Sequence, residues 1–476
     1  MSEEAWSIPC PLRSAALSLP EAAAIVGPRG TTHYEELDAR VSAAALRLRK
    51  LEPGSRVALY LPKDERYVAL ILAVIRAGHV ACPVSDRLPP KGVVALLEKA
   101  ACSALISDDE ELVQMADERL PKLRPDALLE AESLSDDTEP VRIPLQRPAT
   151  IVFTSGSTGA PKAALHTFGN HHHNALGANG NIALGPGDRW LHSLPLYHVG
   201  GLSILFRCLL AGATVMLPEP ATSLGDAIKR RGATHVSLVS TQLLRLLQED
   251  SDLDALEAVL MGGGPVPGSL VDEATARGLP IHTSYGLTEM ASQVTTTPPG
   301  ASPGELHTSG RVLPGREVSA SKEGEILVRG QTLFAGYVEG EKLDRPLDTE
   351  GWFHTGDLGD LDENGCLRVL GRRDNLFISG GENIQPEEIE EALCRLEGVD
   401  EAVVVPVPDQ EFGTRPVAFV RSADRTTRNL TLELEKTLPR FKIPTAFHPW
   451  PDETSQGMKP DRNALRGRAR RLQDPR

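Results

Sequence analysis

TSGSTGAPKAA, residues Thr154 to Ala164, follows a mostly apolar run from Ala149 to Phe153 and packs four hydroxyl residues, two glycines, a proline and a lysine into one short stretch. Glycines let backbone N–H groups approach an anion closely and hydroxyls add donors, so the stretch has the chemistry of a phosphate loop. It is not the nucleotide P-loop, which needs two glycines five positions apart followed at once by Lys and Ser or Thr. Five on from Gly156 stands Pro161, and Ala163 follows Lys162.

Outward from this loop, short apolar, β-branched runs alternate with segments of helical period, the signature of α/β architecture. RVALYLP (Arg56 to Pro62) reads as a strand and YVALILAVIRAG (Tyr67 to Gly78) as a helix stopped by glycine. HVSLVS (His235 to Ser240) reads as another strand before a helix, TQLLRLLQ, with Leu243, Leu244 and Leu247 on one side. AVLMGGGPVP (Ala258 to Pro267) closes a further unit. From Ser302 the texture changes, and EGEILVRG (Glu323 to Gly330) and CLRVLGR (Cys366 to Arg372) predict antiparallel strands.

A boundary falls at GRRDN (Gly371 to Asn375). Beyond it PEEIEEALCRL (Pro386 to Leu396) has helical period with Pro386 in the first turn, and EAVVVPVPD (Glu401 to Asp409) reads as a buried strand. The expected fold class is α/β: a large N-terminal domain over residues 1–373, with layered α/β subdomains plus a small β-barrel-like part, and a small C-terminal α+β cap over residues 374–476. The final RNALRGRARRLQDPR is expected to be a solvated basic helix end.

Bulk properties narrow the function. A chain of 476 residues exceeds one ordinary core, and 41% hydrophobic with 24% charged residues is the balance of a soluble globular protein. With 50 basic against 65 acidic residues the net charge is −15, which argues against a general nucleic-acid or anionic-membrane surface, so anionic ligands must be met by local design. Six cysteines without C-x-x-C spacing suggest neither a zinc cluster nor a disulfide framework. With no charged start before a long apolar core and no apolar run of membrane-spanning length, the expectation is a cytoplasmic protein without membrane insertion; homo-oligomerisation stays open.

Four further segments join the opening loop: YGLTEM (Tyr285 to Met290), TGDLG (Thr355 to Gly359), GRRDNLFISGGENIQPEEIE (Gly371 to Glu390) and GMKPDR, which holds Lys459. This set, in this order, resembles the acyl-adenylate-forming superfamily of acyl-CoA synthetases, adenylation domains and luciferases, over most of the chain. The resemblance implies an ATP-, Mg²⁺- and CoA-dependent activation of a small-molecule carboxylic acid. Joining a carboxylate to AMP brings two anions within bonding distance, so a cation must offset their repulsion in the transition state.

By resemblance that cation is Lys459, although Met458 stands where similar enzymes usually carry glycine. Thr154, Ser155, Gly156, Ser157, Thr158, Gly159 and Lys162 would hold the β- and γ-phosphates, and Thr288 would contact phosphate. Glu289 would hold the metal, with magnesium bridging phosphate oxygens. Tyr285 would lie against adenine, the GGGPVP turn with Gly263 and Gly264 would pack on adenine and the acyl group, and Asp357 and Arg372 would hold the ribose hydroxyls. Asp374 matches the family's hinge, about which the cap turns after adenylation to bring Ser379 to Glu382 toward a pantetheine tunnel.

LPLYHVGGLSILFRCLLAGATVML (Leu194 to Leu217) resembles the family's pocket-lining segment, with His198 near the acyl site. Arg207 sits among Ile204, Leu205, Phe206, Leu209 and Leu210 on an expected helix, and two readings stand. It is a snorkelling surface arginine, or a buried one that needs an anion. SGGENIQPEEIE, TEMASQV and this basic position together resemble o-succinylbenzoyl-CoA synthetases of menaquinone synthesis, whose substrate has two carboxylates. Arg207, helped by Ser292, would then meet the carboxylate that is not activated. Alternatives are another aryl- or fatty-acyl-CoA synthetase, a carrier-protein adenylation enzyme, and a non-catalytic binding protein, which would be free to lose Glu289 or Lys459. HHHN (His171 to Asn174) is read as structural, because consecutive helical histidines point in different directions.

Overall fold

The computed structural model describes residues 6–130, 141–154, 161–249, 251–422, 427–451 and 461–473. Two large sheets dominate it. One has eight strands, with Arg56–Tyr60 paired in parallel to Val80–Pro83 and Ala104–Ser107, Pro148–Thr154 parallel to Val80–Pro83, and Lys162–Thr167 and then Gly336–Glu339 following antiparallel. The other has nine, including the parallel run His235–Leu238, Ala258–Met261 and Ile281–Leu287, beside which Ser292–Thr296 turns back antiparallel. Strands buried on both faces read as continuous apolar runs. Val57 to Leu59 and Ala258 to Met261 are buried accordingly.

The two sheets share one hydrophobic cluster, built largely from helices Tyr34–Leu48, Glu65–Ala77 and Val199–Ala211. Glu65–Ala77 starts where the Asp64 side chain accepts from the amides of Arg66 and Tyr67, and stops at Gly78 with φ 91°. It is apolar nearly all round because strands Arg56–Tyr60 and Val80–Pro83 pack on one side of it and helix Tyr34–Leu48 on another. Each buried Leu or Ile there contributes about 1.5–3 kcal/mol. Leu70→Ala would therefore leave a costly void. Helix Val199–Ala211 is equally apolar and enters tightly: a Cβ on Gly201 would lie 2.0 Å from the Pro195 carbonyl oxygen.

The predicted strands Glu325–Gly330 and Leu367–Arg372 fall in one four-stranded antiparallel sheet, with Phe353–Leu361 between them and Arg316–Ala320 outside. This sheet is the small β-rich part. From Phe377 onward a separate core forms, where helix Pro386–Cys394 packs Ile389 and Leu393 against the three-stranded sheet Val399–Asp409, Gly413–Ser422 and Phe447–Pro449.

Two sequence readings change. Helix Ser240–Gln248 buries Leu243, Leu246 and Leu247 while Leu244 stays half-exposed, since positions three and four apart share a face. The basic C-terminal stretch is more than a solvated helix end: Arg462–Gln473 buries Leu465 and Ala469 with Val403, Val405 and Val407, and Arg462 on the same face donates to Glu390 and the Val404 carbonyl.

Candidate active site

Of the residues expected to bind nucleotide, Thr154, Lys162 and Arg372 stand at strand ends. Thr154, last of strand Pro148–Thr154, pairs with Lys162, first of the antiparallel strand Lys162–Thr167. Ser155, Gly156, Ser157, Thr158 and Gly159 lie outside the described residues, as does Lys459. In the other sheet the parallel neighbours Ala258–Met261 and Ile281–Leu287 deliver the Gly262 to Gly264 turn and the single 3₁₀ turn Thr288–Met290. Carboxyl ends of parallel strands are where such sheets bind ligands. Glycine is required here: Gly263 has φ 82°, and a Cβ on Gly262 would sit 2.8 Å from the Ser284 hydroxyl.

Tyr285, Asp357 and Arg372, predicted separately around the adenosine, meet. The Tyr285 hydroxyl donates to Asp357 Oδ2 at 2.6 Å, and Arg372 Nη1 donates to Oδ1 at 2.9 Å. Asp357 and Arg372 face each other in register on neighbouring strands. Burial, and then the Asp357 carboxylate, push the Tyr285 hydroxyl well above its ordinary value, so it remains a donor. Arg372 Nη2 also reaches Asp374 at 3.3 Å. The neighbour of this expected hinge residue is tied as well, since Asn375 donates to Glu387 Oε1 at 2.6 Å. Beyond it, Ser379 to Glu382 form a tight hairpin turn with Gly380 at φ 60° and Gly381 at φ 87°.

The backbone of the Thr288–Glu289 turn is pinned from two sides. His166 Nε2 bonds the Thr288 carbonyl at 2.7 Å, and the Phe334 amide donates to the Glu289 carbonyl at 2.8 Å. Burial pulls His166 down to about 4, so it acts as a neutral strut. The Glu289 carboxylate accepts from the Tyr337 hydroxyl through Oε1, and among the described residues Oε2 has no hydrogen-bond partner. No group of three or more His, Cys, Asp or Glu suited to a metal occurs among the described residues. One half-buried carboxylate with a free oxygen fits Mg²⁺, which keeps its waters and takes its other ligands from substrate phosphates.

In the expected pocket-lining segment, Arg207 is fully buried on helix Val199–Ala211, so the snorkelling reading fails. Its Nε donates to Asn179 Oδ1 at 2.8 Å and its Nη1 to Gln293 Oε1 at 3.3 Å, while Nη2 reaches the carbonyls of Ala178 and Ile182. The guanidinium lies 4.1 Å from the centre of the Trp190 ring. No carboxylate comes within ion-pair range of it among the described residues. Arg316, also buried, donates to the carbonyls of Gln293, Pro314 and Asn174. Burial, reinforced by the Arg316 charge, lowers Arg207 to about 9, which leaves it charged at neutral pH.

Ser292, next to Gln293, has φ 127° and follows Ala291 at φ 54°. Two adjacent non-glycine residues on the left-handed side of φ are backbone strain held by their surroundings. Opposite them Gly286 leaves room for the Ser292 carbonyl, 2.2 Å from where a Cβ would be. His198 begins the helix beside the Tyr197 ring. In the HHHN run His171 is buried, bonded through Nε2 to Thr150 Oγ1 at 2.7 Å and stacked on Phe206 at 4.5 Å. His172 and His173 face elsewhere, half-buried.

Sequence reasoning missed Trp190, Asn179, Gln293 and Tyr337. Only Trp190 carried a signal, as one of four tryptophans in the chain.

Residues 12–338 match the family model of the AMP-binding enzymes, and residues 388–456 that of the AMP-binding enzyme C-terminal domain. The chain belongs to the AMP-binding enzyme family. This AMP-binding enzyme is 34% identical over 444 residues to the 2-succinylbenzoate–CoA ligase of Bacillus velezensis, spanning 90% of this chain and 91% of that one. A single-residue variant of E. coli MenE with bound OSB-AMS superposes with a TM-score of 0.85 at 33% identity, covering 98% of this chain and 99% of that one. The o-succinylbenzoate CoA synthetase (MenE) of Bacillus subtilis in complex with the acyl-adenylate intermediate OSB-AMP gives 0.85 at 31% identity, covering 96% and 98%. The same Bacillus subtilis protein in complex with ATP and magnesium ion gives 0.82 at 31%, covering 93% and 96%.

Proposed function

We propose that this AMP-binding enzyme is an AMP-forming acid–CoA ligase that converts o-succinylbenzoate to o-succinylbenzoyl-CoA. The observation that carries the choice of acid is Arg207, a fully buried cation whose described hydrogen-bond partners, Asn179, Gln293 and two carbonyls, are all neutral. A buried charge left without a counter-ion is costly, and a dicarboxylic substrate supplies one. Relatives and neighbours that carry the name of this acid or its adenylate support the same reading.

In the first half-reaction a carboxylate oxygen attacks the α-phosphorus of ATP; the bond from that phosphorus to the bridging oxygen breaks and pyrophosphate leaves. Lys459 offsets the repulsion of the two anions, and the loop from Thr154 to Lys162 with Thr288 holds the leaving phosphates. Glu289 would hold Mg²⁺, which when bound neutralises charge on the pyrophosphate. Asp357, with Arg372 and Tyr285, fixes the ribose, and the Gly263–Gly264 turn bounds the adenine and the acyl group. In the second half-reaction the CoA thiolate attacks the acyl carbonyl and AMP departs, after a turn of the cap about Asp374.

A panel of acids tests this, with pyrophosphate release measured with and without CoA. o-Succinylbenzoate should exceed benzoate and medium-chain fatty acids by roughly 10²-fold or more in kcat/KM, the discrimination available when a polar partner is left unmet. Preference for a monocarboxylic acid would refute the assignment.

A further inference from the structure

Tyr337 stands between two groups of opposite charge. Its strand, Gly336–Glu339, pairs antiparallel with Lys162–Thr167, Tyr337 facing Ala164 in register. The Lys162 ammonium lies 4.7 Å from the centre of the Tyr337 ring. The hydroxyl at the other end of that ring donates to Glu289 Oε1. The ring is braced edge-on by Phe334, centroids 4.8 Å apart, and the Phe334 amide itself holds the Glu289 carbonyl. Among the described residues Lys162 makes no ion pair.

A lysine and a glutamate this close to one aromatic ring would ordinarily pair directly and cancel each other. Here the ring face takes the ammonium and the hydroxyl takes the carboxylate, so both charges are steadied without meeting. We propose that Tyr337 is a positioning residue for the metal–triphosphate end of the site: it aims Glu289 at the magnesium and keeps Lys162 free for phosphate. This rests on the nucleotide reading above.

The test is equilibrium binding of ATP without any acid present, by calorimetry, with and without Mg²⁺. Loss of an outer partner of a metal ligand typically weakens metal affinity about 10-fold or more. Tyr337→Phe should therefore weaken MgATP binding about 10-fold while metal-free ATP binds as in the wild type. Tyr337→Leu, which also removes the ring face, should in addition weaken metal-free ATP, because Lys162 then pairs with Glu289. Thioester formation from supplied acyl-adenylate and the KM for the acid should stay within about 2-fold for Tyr337→Phe, since binding terms that do not touch the phosphates are unaffected.

Unchanged MgATP binding in Tyr337→Phe would overturn the inference alone. So would equal losses of MgATP, metal-free ATP and acid, which mark a general packing defect. Wild-type protein that binds no MgATP would instead overturn the nucleotide reading beneath it. Tyr337→Phe retains the ring and its packing on Phe334, so the test survives if Tyr337→Leu fails to fold.

Discussion

The proposed adenosine end of the site and the proposed acyl end treat charge in opposite ways. At the adenosine end Asp357 is balanced within the protein, one oxygen on Arg372 and the other on the Tyr285 hydroxyl. At the acyl end Arg207 is buried deeper and meets only amide oxygens, carbonyls and an aromatic face. A closed pair is stable in the free protein and presents shape; an open buried charge is unstable until a ligand closes it. The first arrangement suits a nucleoside that every turnover uses. The second suits selection of one acid.

The strongest way to break this contrast is to remove the charge assigned to neither end. Lys459→Ala should slow adenylation by roughly 10²–10³-fold, the usual cost of losing a preorganised transition-state donor, while thioester formation from supplied acyl-adenylate is largely kept. Rapid-quench assays of the separate half-reactions distinguish these. Equal losses in both would assign Lys459 to general binding.

Asp357→Asn comes next. It removes the charge that balances Arg372 and leaves ribose a weaker acceptor, so the KM for ATP should rise about 10- to 100-fold with the acid KM unchanged, given that charge-assisted bonds are worth about 1.5–3 kcal/mol. Stability should fall by less than about 1 kcal/mol, because Arg372 is partly open to solvent. A rise in the acid KM of the same size would show that the two ends are not independent.

How far the sequence carries this contrast depends on the kind of contact. Tyr285, Asp357 and Arg372 were expected near one another only because the ordered stretches that hold them resemble those of a known family, and the structure brings these three into contact. Asn179 and Gln293 were not, since they reach Arg207 from 28 and 86 residues away through uncharged side chains that no local pattern distinguishes. Tyr337 escaped for the same reason, pairing with Glu289 across 48 residues. The helices and strands were found from their periods. The buried face of Arg462–Gln473 was obscured because the buried Leu465 and Ala469 stand in a run dominated by arginine.

Arg207→Met sharpens the comparison from the acyl end. The KM for o-succinylbenzoate should rise about 10-fold while that for ATP holds, the worth of one charge-assisted contact. Thermal stability should stay equal or increase, the reverse of Asp357→Asn, because a buried charge without a counter-ion is replaced by an apolar chain of similar reach. The pH dependence has a definite sign. Arg207 is lowered to about 9, so above that pH the free protein loses the cation and the acid KM rises. Between about 9 and its ordinary value the unfolded chain binds more protons than the folded one, so the Arg207 contribution to stability grows with pH. An acid KM that stays flat from pH 7.5 to about 9.5 in the wild type, measured beside Arg207→Met, would remove Arg207 from recognition.

Ser292→Gly carries the smallest expected effect and separates strain from recognition. At φ 127° glycine takes the backbone without the steric cost that serine bears, and the loss of unfolded-state restriction opposes that gain by about 0.5–1 kcal/mol. Net stability should therefore move by no more than about 1 kcal/mol in either direction, read as a urea midpoint. If the hydroxyl helps the second carboxylate, the acid KM rises about 3-fold, consistent with losing one neutral hydrogen bond of about 0.5–1.5 kcal/mol, and Ser292→Ala rises equally. Should Ser292→Ala raise the KM while Ser292→Gly does not, the unusual backbone and not the hydroxyl would be what shapes the pocket. The strain at Ala291 and Ser292 would then serve the open end of the site as Gly356, at φ 72° beneath Arg372, serves the closed one.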